Sequence, residues 1–332
     1  MTRLLDVENL TLQFDTDEGR ITAVDNVSFT LEAGEVMGLV GESGSGKSVT
    51  AKSLMKLNAS NAHYSEDTNV KLHLEDGTVD VMSLKTNKDM QVVRGGAISM
   101  IFQEPMASFA PAITIGDQMV EQLQIHTDMN AKRAKEVSIE MLDRVGISDA
   151  GTRFKQYAFE LSGGMRQRAM IAMALSTRPK LLIADEPTTA LDVTIQAQVI
   201  DLMKDLVSEF GMGIIFITHD LGVIAQTADK VAVMYLGRLI EQGAVRDVIR
   251  NPSHPYTKGL IDALPSLDDL DTPLTPIPGD IPSPLERPSG CVFNTRCSAN
   301  LGEVCSGKVP QFSSVSEGHN VACHLFTEGG AK

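Results

Sequence analysis

No cysteine occurs in the first 290 residues of this 332-residue chain. That long stretch can hold neither a disulfide framework nor a thiolate metal site. No segment approaches the roughly 18 to 20 consecutive apolar residues that span a bilayer as a helix. Positive charge is scarce too: 29 Lys and Arg stand against 43 Asp and Glu, a formal net charge of −14. Nucleic-acid binding rests on clustered Lys and Arg, so no nucleic-acid partner is expected. Internal repeats and low-complexity tracts are missing as well. The opening "MTRLLDVENLTLQFD" has acids where a signal peptide needs an apolar core, and a cytoplasmic location is expected. What remains is ordinary for a soluble globular protein, with 42% apolar and 22% charged residues. The length suits one large domain with an appendage, or two domains.

The chain alternates buried-type strands with helical patterns. "EVMGLVGESGSGKSVTAKSLMKLN" (Glu35 to Asn58) reads as strand, glycine loop, helix. Further strands are expected in "AISMIFQEP" (Ala97 to Pro105), "KLLIADEP" (Lys180 to Pro187), "GIIFITHD" (Gly213 to Asp220) and "KVAVMYLGRLIEQG" (Lys230 to Gly243). Helical spacing runs over Asp117 to Val145, Met165 to Ser176 and Ile195 to Glu209. The alternation predicts an α/β fold with a largely parallel central sheet. Residues 1–35 and 66–83 are richer in β-branched and alternating positions and suggest a smaller antiparallel piece. Residues 265–288 hold seven of the 14 prolines and read as an extended connector, because proline denies both helix and ladder.

Gly41-Glu-Ser-Gly-Ser-Gly-Lys47-Ser48 fits G-x-x-x-x-G-K-[ST] at the strand-to-helix junction that this motif requires. Gly41, Gly44 and Gly46 let the backbone turn tightly enough for successive N–H groups to surround phosphate oxygens. Ser43, Ser45 and Val49 complete the expected cradle. Lys47 is placed to reach the β- and γ-phosphates, and Ser48 to offer a hydroxyl to Mg²⁺. "LLIADEP" ends an apolar strand on two acids: Asp185, suited to hold Mg²⁺ through water, and Glu186, suited to orient or activate the attacking water. Alone, two such acids would read equally well as solvated loop charges.

"LSGGMRQRAMIAMAL" (Leu161 to Leu175) reads as a loop entering a helix with Ser162 in an N-cap position. With the motifs around it, this segment resembles the signature of ABC-type ATPases. The set occurs in order: the phosphate loop, Gln103 in "IFQEP", the signature, the acid-ended strand, "ALD" ending at Asp192, and His219 in "ITHD". The resemblance covers roughly residues 3–250 and implies a RecA-like P-loop core with an antiparallel β-subdomain and an α-helical signature subdomain. By that resemblance residues 1–250 are the ATPase domain, with the helical subdomain at about 104–165, and 251–332 are a C-terminal extension. It also implies head-to-tail pairing of two subunits, with Ser162, Gly163 and Gly164 of one contacting the γ-phosphate held by the other. Gln103 would bind Mg²⁺ and link it to the transport channel, and His219 would steady the γ-phosphate. Phe14, at the end of "LTLQF", is the expected adenine-stacking residue; a place in the core of the β-piece is the alternative.

"NPSHPYTKGLIDALP" (Asn251 to Pro265) and "GCVFNTRCSANLGEVC…HNVACH" are similar to the C-terminal region of ATP-binding subunits of oligopeptide and dipeptide importers. Cys291, Cys297, Cys305 and Cys323 all lie in the last 42 residues with spacing C-x5-C-x7-C-x17-C. In a reducing compartment such a cluster reads first as metal ligands. The resemblance implies a [4Fe-4S] cluster held by the four thiolates. Four-thiolate Zn²⁺ is the alternative, although the close C-x2-C knuckles of most zinc modules are absent; reduced or disulfide-linked thiols are a third. His319 and His324 flank Cys323 and could substitute as ligands.

The function that follows is an importer motor, peripheral to the cytoplasmic face of the inner membrane, that binds ATP with Mg²⁺. Its implied partners are two transmembrane permease subunits, a homologous second ATPase subunit and an extracytoplasmic substrate-binding protein. Dipeptides or oligopeptides are the default cargo, with oligosaccharides or another solute as the alternative. A soluble ABC ATPase acting on nucleic acid or ribosomes competes, but it would bring tandem halves, a coiled-coil insertion or a basic face. A regulatory protein without turnover conflicts with the intact Glu186 and His219.

Overall fold

A computed structural model of the chain describes residues 2–187, 193–264 and 276–327. Its described strands are, in chain order, β1 (Arg3–Thr16), β2 (Gly19–Glu32), β3 (Val36–Val40), β4 (Ala62–Tyr64), β5 (Asn69–Leu74), β6 (Gly77–Asp80), β7 (Ile98–Ile101), β8 (Leu181–Asp185), β9 (Gly213–Thr218), β10 (Lys230–Tyr235), β11 (Arg238–Ala244), β12 (Ser313–Ser316) and β13 (His319–Val321). The chain divides into two compact units: Met1–Leu5, Leu31–Glu35 and Lys71–Ile217 form one, and Asp6–Thr30, Val36–Val70 and Thr218–Lys332 the other.

In the first unit β7, β8 and β9 run parallel, with Ile98 opposite Leu181 and Leu181 opposite Gly213. Every residue of these three strands is buried. That burial explains why the sequence there is mostly apolar instead of alternating. The helical pattern at Asp117 to Val145 proves to be two helices, Ile115–His126 and Ala131–Arg144. The break has a chemical cause: Asn130 accepts a hydrogen bond from the Arg133 N–H at 2.9 Å and so starts a new helix. Ile115, Met119 and Leu123 form one buried stripe, and Ala134, Val137, Met141 and Leu142 another, at helical spacing. Both helices pack against the helix Gly163–Ser176. The helix Val193–Phe210 buries Val199, Met203 and Val207.

In the second unit β3 lies parallel to β10, with Gly38 opposite Val231. The stretch Lys230 to Gly243 is not one strand but a hairpin, β10 and β11, with Tyr235 opposite Arg238. Both turn residues, Leu236 (φ 42°) and Gly237 (φ 79°), are left-handed, the conformation that matches the twist of a two-residue hairpin. β13 adds antiparallel to β11, and β12 to β13, so the tail extends this unit's sheet. β4 pairs with β1, Leu12 facing Tyr64.

Glu241 of β11 is fully buried yet satisfied. Its carboxylate accepts the N–H of Ser253 (2.7 Å) and of His254 (2.9 Å), and His319 Nε2 lies 2.7 Å from it. His254 caps the helix Pro255–Asp262, its Nδ1 accepting the Tyr256 N–H at 3.1 Å. Burial lowers the His254 pKa from the ordinary 6.5 to about 3, so the ring is neutral with its proton on Nε2. Between those two values the unfolded chain binds a proton that the folded chain refuses, and stability falls as pH drops. The expected loss is up to about 1.4 kcal/mol per pH unit below 6.5. Urea melts between pH 7.5 and 4.5 check it: His254→Asn, which keeps a cap and removes the titration, should give the shallower slope, and equal slopes would refute the assignment.

Candidate nucleotide site and C-terminal cysteine module

The phosphate loop lies in the second unit, between β3 and the helix Lys47–Ser53. Gly41 (φ 150°) and Gly46 (φ 98°) hold conformations that side chains rarely adopt. A Cβ at Gly41 would sit 2.2 Å from the Met234 carbonyl oxygen, and one at Gly46 2.6 Å from that of Ala23. No residue but glycine fits either place. Gly44 is also left-handed, Ser45 is buried, and Ser43 is exposed at the loop surface. Lys47 is buried, and its Nζ donates to the carbonyls of Gly41 (2.7 Å) and Glu42 (3.0 Å) and to Ser45 Oγ (3.3 Å). The loop thus curls around its own ammonium. Ser48 and Val49 follow in the first helical turn, half-buried. Phe14 lies in β1, half-buried, in register with Ala62 of β4.

In the first unit the acid pair ends the buried strand β8. Asp185 is buried, and Glu186 follows with a left-handed backbone (φ 47°), unusual for a residue other than glycine. Its N–H donates to the Ile217 carbonyl at 2.9 Å. Strain of this kind clusters at functional sites. Gln103, two residues beyond the neighbouring strand β7, donates from Nε2 to Glu186 Oε2 at 2.9 Å. Parallel register makes that meeting possible, since Ile101 lies opposite Ala184. Two residues 83 positions apart, read separately in the sequence, thereby become one polar contact.

The signature forms the expected cap. Ser162 has extended backbone, its Oγ accepts the Met165 N–H at 3.4 Å, and the helix Gly163–Ser176 begins there. Ser162 and Gly163 are exposed and Gly164 is half-buried. Gln167 is fully buried and donates to the Pro187 carbonyl, tying the signature helix to the segment just after Glu186. In the second unit His219 is exposed beside Asp220, whose carboxylate caps the helix Leu221–Thr227. Asp192 lies outside the described residues.

All four cysteines are unpaired thiols; Cys291, Cys305 and Cys323 are buried and Cys297 half-buried. The Cys291 N–H donates to the Cys305 carbonyl at 2.8 Å. Burial pushes the Cys291 thiol up to about 11, with the neighbouring cysteines adding to the rise. Burial also raises Cys297 and Cys323. The all-sulfur donor set suits iron–sulfur or zinc chemistry. As the side chains stand, however, no three His, Cys, Asp or Glu among the described residues are grouped to hold one metal ion. The two flanking histidines are engaged elsewhere, His319 Nε2 on Glu241 and His324 Nε2 on the Lys308 carbonyl at 2.8 Å.

Sequence reasoning missed Glu42, Tyr235, Tyr256 and Arg296. The Arg296 guanidinium donates to both carboxylate oxygens of Glu42, at 2.7 and 3.2 Å, across 254 positions. Glu42 occupies an unrestricted position of the loop motif and Arg296 falls between two cysteines, so no spacing signal links them.

A glycine loop closed on a buried lysine and an acid pair ending a buried parallel strand define the class, a P-loop nucleotide-hydrolysing protein of α/β type. Residues 24–189 match the family described as ABC transporter, and residues 240–305 the oligopeptide/dipeptide transporter C-terminal region. Oligopeptide transport ATP-binding protein OppD of Salmonella typhimurium is 48% identical over 96% of this chain and 93% of its own length. Oligopeptide transport ATP-binding protein AppD of Bacillus subtilis is 46% identical over 100% and 99%. Dipeptide transport ATP-binding protein DppD of Bacillus subtilis is 46% identical over 98% and 95%. Among solved structures, dimeric MJ0796, a bacterial ABC transporter cassette, superposes with a TM-score of 0.64 at 25% identity, covering 73% of this chain and 99% of that one. The chain belongs to the ABC transporter family of ATP-binding proteins, in the branch that carries the oligopeptide/dipeptide transporter C-terminal region.

Proposed function

We propose that this chain is the ATP-hydrolysing motor subunit of a peptide importer, peripheral to the cytoplasmic face of the membrane. The observation that carries the reading is that one chain joins an ABC cassette to the peptide-transporter tail and matches peptide-transport ATP-binding proteins nearly end to end. No described helix is long and apolar enough to cross a membrane, which fits a motor that docks on permeases. Met106 and Ile113, exposed in the segment after Gln103, offer apolar surface for that docking.

In this reading the loop from Gly41 through Ser48 cradles the triphosphate with Val49 beside it, and Lys47 offers a donor of its Nζ to the phosphates. Phe14 stacks on the adenine. Hard oxygen donors, the Ser48 hydroxyl, the Gln103 amide and the Asp185 carboxylate, suit Mg²⁺. The ion's contribution is to neutralise charge on the phosphates. Glu186 orients the attacking water with Gln103 at its carboxylate, and His219 steadies the γ-phosphate. Ser162, Gly163, Gly164 and Asp192 serve the site of a partnering subunit, taken to be a homologous second ATPase, and MJ0796 as a dimeric cassette supports the pairing. The complex also needs two permeases and an extracytoplasmic binding protein. Reconstituted with these, the chain should hydrolyse ATP faster when peptide is added; unchanged hydrolysis across a peptide library would end the importer reading.

For the tail, we propose on the donor chemistry of Cys291, Cys297, Cys305 and Cys323 that the four thiolates hold a [4Fe-4S] cluster, with Zn²⁺ as the alternative. Anaerobically purified chain should carry iron and acid-labile sulfide that Cys297→Ser loses. Zinc without sulfide would select the alternative.

A further inference from the structure

Glu42 is held from three directions within the second unit. Its N–H donates to Tyr256 Oη at 2.8 Å, its carboxylate takes the Arg296 fork, and its carbonyl accepts Lys47 Nζ. The Arg296 side chain is only 4% exposed, and its partner Glu42 26%. The remaining contacts of the guanidinium are equally specific: Nη1 to Tyr235 Oη (3.3 Å), Nε to the Pro278 carbonyl (3.1 Å) and Nη2 to that of Ile277 (3.3 Å). It also lies over the rings of Tyr235 and Phe293, at 5.8 and 5.9 Å. A planar fork so enclosed has one orientation, and a two-pronged grip transmits it to the carboxylate.

Fastening the tail does not require this geometry. Glu241 already ties β11 to His254 and His319 through buried bonds. Arg296 instead reaches Glu42, one of the two loop residues whose carbonyls seat Lys47. We propose that Arg296 is a positioning residue for the nucleotide: by gripping the Glu42 carboxylate it fixes the first turn of the phosphate loop and, through the Glu42 carbonyl, the place of Lys47 Nζ. The cysteine module is thereby part of the ATP-binding apparatus and not an appendage to it. This inference rests on the reading of Gly41–Ser48 as the ATP loop.

The test is equilibrium binding of the fluorescent analogue mant-ATP, with Mg²⁺, to the full chain and its variants, with thermal melting recorded alongside. Arg296→Gln should weaken binding roughly tenfold, and Arg296→Lys, which keeps the charge but not the fork, should fall between it and wild type. The double variant with Glu42→Gln should bind no more weakly than Arg296→Gln alone, because both changes cut one link. A residue that merely staples the tail would shift the melt and leave the affinity of the folded protein unchanged; that result overturns the proposal. If Arg296→Gln does not fold, Glu42→Gln carries the same decision, since Arg296 there keeps Tyr235, Ile277 and Pro278. Wild type that binds no nucleotide overturns the ATP reading and this inference with it, whereas wild-type binding with unaffected variants overturns this inference alone.

Discussion

Replacing Glu186 with glutamine should lower ATP turnover of the assembled transporter by about 10²- to 10⁴-fold while leaving nucleotide binding to the chain intact. The carboxylate sits on a left-handed residue at the end of a fully buried strand, with Gln103 Nε2 at 2.9 Å. An amide keeps the shape but loses the negative charge that would align a water and draw its proton. It also turns a donor toward the Gln103 amide unless the side chain flips. In the proposed reading nucleotide is seated by Lys47 and the loop backbone, which the substitution does not touch. Turnover and mant-ATP affinity measured on one preparation separate the two effects. Turnover within threefold of wild type would remove Glu186 from the role of water-positioning base.

The second large effect belongs to stability. Glu241→Ala should cost about 3–5 kcal/mol, the range for removing one partner from a buried charged network. Three donors converge on that carboxylate in a place closed to water: the N–H groups of Ser253 and His254, and His319 Nε2. Alanine leaves all three without an acceptor and opens a cavity besides. Glutamine has one accepting oxygen and one donating nitrogen, so it satisfies part of the set and should fall between. Urea denaturation of the three proteins at pH 7.5 measures the order. A loss under 1 kcal/mol for alanine would mean that the tail is not fastened through this residue.

What was legible in the sequence is what depends on neighbours in the chain. The phosphate loop, the acid-ended strand and the capped signature helix each compress their chemistry into fewer than ten residues, because a turn, a strand end and a helix start are local geometries. Ser162 caps its helix as its type and position imply. Spacing rules failed where a short turn interrupts a pattern: four residues between Ile115–His126 and Ala131–Arg144, and two left-handed residues inside Lys230 to Gly243. An apolar run does not announce that it doubles back.

The sequence by itself determined the nucleotide chemistry, the α/β alternation and the family, since all three are written in short motifs whose order along the chain suffices. Tertiary structure alone decided that Gln103 meets Glu186, that Glu241 gathers Ser253, His254 and His319, and that Arg296 grips Glu42. The physical reason is that a polar group drawn out of water has to find its hydrogen-bond partner wherever folding brings one, and a partner 254 positions away leaves no periodicity to read.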